Sequence, residues 1–163
     1  MMRLLRSGWL RVLKVRPIMA LGAAVVVVGF SGLTCAGTTA PITVEHPWFR
    51  FLLATLPAGG YMTLHNPTGQ SAVLTAAQSE ACGSMMLHKT VSENGQEKMV
   101  GVKSIVVPAH GSFTFRPSAY HVMCMRPSMK PGQSVTVTLE FEHLAPLTVE
   151  FKVYGATGRP HAK

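Results

Sequence analysis

From Pro41 onward the chain is cut into short runs whose apolar residues fall on alternate positions, and this pattern constrains the fold more than anything else in the sequence. Val135, Val137, Leu139 and Phe141 alternate with Ser134, Thr136, Thr138 and Glu140, and Val149 and Phe151 repeat the pattern in Leu147–Tyr154. Ile42–Glu45, Gly60–His65, Ala72–Ala77, Ser84–Val91, Lys98–Lys103, Ser104–Val107, Ser112–Arg116 and Tyr120–Met125 read as further strands. Asn66-Pro67-Thr68-Gly69 is a turn signal, and Gly95, Pro108, Gly111, Pro117, Pro127, Pro131 and Gly132 punctuate the other gaps. No helical stretch of useful length competes with them. Closely spaced short strands predict an all-β sandwich or barrel, and a domain of roughly 120 residues buries a workable core without disulfides. The polar tail, Gly155–Lys163, is expected to fray.

The N-terminus is different in kind. Arg3, Arg6, Arg11, Lys14 and Arg16 precede an apolar run, Ile18 to Leu33, and then the small residues Thr34-Cys35-Ala36-Gly37. A basic region, an apolar region and a small-residue exit make residues 1–36 a secretory signal segment. An uncleaved anchor is the competing reading, but the run falls short of the ~20 residues a spanning helix needs. Cys35 stands near a lipidation position, with its Leu one place too close for a good lipobox. The whole chain carries +8, from 15 Lys+Arg against 7 Asp+Glu; removing the five basic residues of the leader leaves 10 against 7, or +3. The basic balance is therefore an export address, and nucleic acid is not an implied partner. Residues 37–163 form the expected domain, placed outside the cytoplasm in the periplasm, where thiols tend to oxidise.

All seven acidic residues are Glu; the chain has no Asp. That scarcity argues against paired-carboxylate hydrolysis and against calcium or magnesium cages. No Gly-x-Ser-x-Gly, P-loop or Cys-x-x-Cys is present, so an enzyme is not expected. Methionine and histidine are abundant instead, at 10 and 7. His88 is followed after ten residues by Met99, and Met99 after twenty-one by His121, with Met123 one residue beyond. On a strand His121 and Met123 project together, about 6–7 Å apart at Cα. The turn Ser92-Glu93-Asn94-Gly95 folds His88 and Met99 toward each other. Two imidazoles and two thioethers without carboxylate or thiolate favour Cu(I): thioether sulfur is soft and neutral, and zinc prefers His, Cys and carboxylate.

The spacing His88-x10-Met99-x21-His121-x-Met123 resembles the copper-binding motif of the PCuAC family of periplasmic Cu(I) chaperones. Trp48, Arg50 and Gly59-Gly60-Tyr61-Met62-Thr63-Leu64-His65-Asn66 resemble that family's early strands, and the resemblance runs over about residues 41–154. It implies a cupredoxin-like Greek-key β-sandwich, one Cu(I) per chain held by His88, Met99, His121 and Met123, and a monomer that is not an enzyme. It also implies delivery toward the CuA centre of cytochrome c oxidase, with the CuA-bearing subunit or its assembly factors as partners. A passive copper buffer and a blue-copper electron carrier are the rival readings; the latter needs a Cys ligand.

Several residues stay open at this level. Met86 shares strand parity with His88, and Met125 with His121 and Met123, so either extends a sulfur-rich face or packs at its rim. Met62 is expected in the core and Met129 in a loop. Cys124 has the opposite parity and should face inward; Cys82 and Cys124 could form a disulfide after export. His46, His65, His110, His143 and His161 read as solvated or hydrogen-bonded.

Overall fold

A computed structural model describes residues 42–158. The leader, Cys35, His161 and the end of the tail lie outside the described residues. Strands are β1 Thr43–Arg50, β2 Ala58–Asn66, β3 Ala72–Gln78, β4 Cys82–Glu93 and β5 Gln96–Gly101; then β6 Ile105–Val107, β7 Gly111–Phe115, β8 Tyr120–Pro127, β9 Ser134–Phe141 and β10 Leu147–Tyr154. They join in one ten-stranded sheet of order β5-β4-β8-β2-β1-β10-β9-β3-β6, with β7 paired to β2. The neighbours are mostly not consecutive in sequence, as in a Greek key rather than a meander. β3 approaches β4 and β6 approaches β7, so the sheet curls around one core.

Alternation builds that core. Val137, Leu139, Phe151 and Val153 are fully buried on β9 and β10, as are Val122 and Cys124 on β8. β1 needs a correction of its parity midway. Val44 lies opposite the buried Leu64, but beyond a bulge at Glu45–Trp48 the inward residue is Phe49. His46, at φ 51°, takes the left-handed conformation that the extra residue requires. The bulge turns Phe49 onto Phe151, ring centroids 5.0 Å apart, and leaves Trp48 on the opposite face. Gly60 is the matching recess, because a Cβ there would stand 2.7 Å from Phe49 Cε1.

Asn66 is 1% exposed with its amide fully employed: Nδ2 donates to the Gln70 and Val107 carbonyls, and Oδ1 accepts from the Thr68 amide and hydroxyl. Met129 lies in the loop between β8 and β9 as expected, yet it is 5% exposed within the core cluster. One expectation changes. The first residues of the tail do not fray, since Arg50 Nε donates to the Ala156 carbonyl and a Cβ on Gly158 would stand 3.3 Å from the Trp48 ring. Cys82 and Cys124 form a disulfide, which ties the start of β4 to the middle of β8.

Candidate metal centre

The chemistry collects where β4 and β8 run antiparallel. Their register sets His88 opposite His121 and Met86 opposite Met123, while Leu87 and Val122, one residue along, turn into the core. Period-two geometry thus splits the two strands into an apolar inner face and a donor-bearing outer face. The imidazoles stand edge to face with centroids 5.8 Å apart. Met99 arrives from β5. The Asn94-Gly95 turn has positive φ at both residues, 53° and 78°, the two-residue hairpin conformation. It pairs Glu93 with Gln96, and the register carries Met99 opposite Thr90 while Gly101 lies opposite His88. Met99 is therefore two residues displaced from His88 rather than directly across from it, although on the same face.

An open cleft of about 390 Å³ contains Met99, His121 and Met123 together, walled by Tyr61, Leu52 and Pro57, with Arg50 and Glu97 as its charged groups. His88 reaches the set through its ring contact with His121 rather than as part of the cleft wall. Two larger clefts, about 950 and 650 Å³, bring no pair of imidazoles together. Exposure is graded across the donors: His121 is 4% exposed, His88 and Met123 are half-buried, and Met99 is 59% exposed.

Each imidazole leaves one nitrogen without a hydrogen-bond partner. His121 Nδ1 lies 3.1 Å from the Ala119 carbonyl, which can only accept, so Nδ1 carries the proton and Nε2 presents a lone pair. The same carbonyl accepts from the Thr90 amide at 3.0 Å and is thereby fixed to β4. His121 Nε2 and His88 Nδ1 are buried and have no hydrogen-bond partner. A buried orphan nitrogen is costly unless something else binds it. Burial, and secondarily repulsion from His121, hold the His88 pKa below the ordinary 6.5. Protons therefore compete for His88 at lower pH than for an ordinary imidazole. An NMR pH titration of the metal-free protein should give His88 ring signals a midpoint below 6.5; a midpoint above it would contradict this environment.

Among the described residues, no group of three or more His, Cys, Asp or Glu converges. The candidate centre depends on thioethers, and its set is two nitrogens with sulfur. Among the described residues both cysteines, Cys82 and Cys124, are consumed by the disulfide, and Cys124 is fully buried on the inner face, so neither offers a thiolate. Rings extend the outer face behind His121: Tyr61 at 6.5 Å, Trp48 at 4.6 Å from Tyr61, and Tyr154 at 6.0 Å from Trp48. Tyr61 folds back over Gly59, where a Cβ would sit 2.6 Å from its hydroxyl. This aromatic flank could be read from the sequence only as a strand containing glycines.

One polar group was invisible in the sequence. Ser112 Oγ lies 2.7 Å from His65 Nδ1, and Glu45 Oε2 lies 3.0 Å from His65 Nε2. Strand register brings them together from β7, β2 and β1. His65 is 35% and Glu45 60% exposed, so the trio is an open cross-strand ladder worth a few tenths to about 1 kcal/mol in pairing.

The fold and its soft-donor face define a PCuAC-type domain with a cupredoxin-like β architecture. The chain belongs to the LpqE-like family, whose model, described as "Putative lipoprotein LpqE-like", matches residues 42–153. It is 30% identical over 103 residues to "Putative lipoprotein Lxx21020" of Leifsonia xyli subsp. xyli (strain CTCB07), covering 61% of each chain. It is 27% identical over 106 residues to "Uncharacterized protein RP573" of Rickettsia prowazekii (strain Madrid E), covering 63% of this chain and 58% of that one. These matches span about three fifths of the curated relatives. Among solved structures, the copper-bound PCuAC domain from PmoF2 superposes with TM-score 0.61 at 26% identity, over 72% of this chain and 95% of that domain. The solution structure of CuI-DR1885 from Deinococcus radiodurans gives TM-score 0.55 at 31% identity, over 76% and 85%.

Proposed function

We propose that this chain is a Cu(I)-carrying metallochaperone that binds one ion through His88 Nδ1, His121 Nε2 and the thioethers of Met99 and Met123. The observation that carries the reading is the pair of buried, unpartnered imidazole nitrogens on adjacent strands, on a face supplied with thioethers and lacking thiolate. Similarity to a copper-bound PCuAC domain and to CuI-DR1885 supports the choice of metal. A neutral donor set favours Cu(I), because it does not compensate the second charge of Cu(II). The work is binding and handover, not bond-making catalysis. An incoming ligand joins the ion at the open side of the cleft before a donor leaves. Electron transfer through a blue-copper centre has no thiolate to use.

The domain acts outside the cytoplasm as a monomer, delivered by the leader; the lipoprotein description of the family supports attachment through Cys35 as the alternative to a freely diffusing form. Mass spectrometry of the mature N-terminus separates the two, since an acylated Cys35 excludes the free form. The acceptor is the CuA centre of cytochrome c oxidase or one of its assembly factors. Anaerobic loading with Cu(I), followed by mixing with an apo CuA domain, should move copper to the acceptor. Retention on this protein would make it a buffer instead.

A further inference from the structure

The two imidazoles have thioethers on both sides. Met99 stands at the level of Thr90, on one side of the His88–His121 pair. Met123 and the residue opposite it, Met86, stand on the other. Met86 is not a core residue: its neighbour Leu87 is 4% exposed and points inward, whereas Met86 is 42% exposed. An exposed thioether beside a candidate metal donor is a different object from a buried gap-filler. Directly paired residues on antiparallel strands have Cβ atoms about 4.5–5.5 Å apart, and methionine has three rotatable bonds. The Met86 and Met123 sulfurs can therefore converge on one ion without backbone movement. Met86 does not line the cleft that holds Met99, His121 and Met123, and its side chain is open to solvent.

We propose that Met86 is a fifth soft donor, the exchange ligand through which Cu(I) enters and leaves the centre; this rests on the copper-carrying reading above. In the step, a bond forms between the Met86 sulfur and Cu(I) while the bond to the Met99 sulfur breaks. The ion stays Cu(I), no electron or proton moves, and two imidazoles and Met123 hold it throughout. One neutral thioether replaces another, so no charge is exposed or buried during the exchange. The displaced Met99, 59% exposed, leaves the cleft mouth open for an acceptor's ligand.

Met86→Leu keeps an apolar side chain of similar volume and removes only the sulfur. With Cu(I) as the probe and a chromophoric Cu(I) chelator as acceptor, the variant should keep an equilibrium affinity within about threefold of wild type and release copper about tenfold more slowly. In the wild-type protein with 13C-labelled methionine methyls, the Met86 signal should shift on Cu(I) loading. An unmoved Met86 methyl, or an unchanged release rate in the variant, overturns the exchange role. A loss of affinity in Met86→Leu as large as that in Met123→Leu also overturns it, because Met86 would then be a resident ligand. If Met123→Leu and His121→Ala leave Cu(I) affinity unchanged, it is the underlying copper-site reading that fails.

Discussion

His121→Ala should lower Cu(I) affinity on the order of 100-fold or more, since even the partners that only orient a ligand are worth 10–100-fold. His121 is the most deeply placed of the four proposed donors, at 4% exposure, and the Ala119 carbonyl leaves Nε2 as its free lone pair. Its loss leaves His88 as the one imidazole of the pair, and Cys82 and Cys124 are joined to each other. The fold should survive, because the change removes an unpartnered buried nitrogen along with the ring's packing on Tyr61 and His88. Competition titration against a Cu(I) chelator measures the affinity, and circular dichroism measures the fold. His65→Ala is the control, since its bonds to Ser112 and Glu45 lie on other strands, and it should leave the affinity at the wild-type value.

The second large effect concerns the disulfide. Cys82 and Cys124 are separated by 42 residues in sequence. In the loop-entropy account, a crosslink over that span is worth about 3–4 kcal/mol. Cys82→Ala combined with Cys124→Ala should therefore lower the thermal midpoint by about 10–15 °C in a domain of this size. The bond joins the two strands that bear His88 and His121, so its loss falls on the framework of the centre. Copper affinity measured well below the new midpoint should remain, because the donors themselves are untouched. A midpoint within a few degrees of wild type would mean that β4 and β8 are held by their ladder and core contacts alone.

Much of this was legible in the sequence because a strand has a simple period. Val135, Val137, Leu139 and Phe141 announced an inward face, and β9 presents it. The parity of His121 and Met123 against Val122 and Cys124 separates candidate donors from core in the sequence itself. Parity says nothing about register between strands, however. That Met99 faces Thr90 rather than His88 follows from the two-residue turn at Asn94-Gly95, which counts residues from the loop outward. The bulge at His46 was equally hidden, since one extra residue reverses the alternation and puts Trp48, not Phe49, on the outer face. The burial of Met129 is hidden for a related reason. A residue after a proline reads as loop, yet the loop between β8 and β9 lowers the Met129 side chain into the core. The free nitrogen of His121 depends on a backbone carbonyl two residues away, which composition and motif spacing do not encode.

X-ray absorption at the copper edge, on protein loaded anaerobically with one equivalent of Cu(I), tests the central claim most directly. Monovalent copper with two imidazole nitrogens and two thioether sulfurs bound to it is the expected result. A shell of nitrogen and oxygen without sulfur, or copper that separates from the protein on a desalting column, would contradict it.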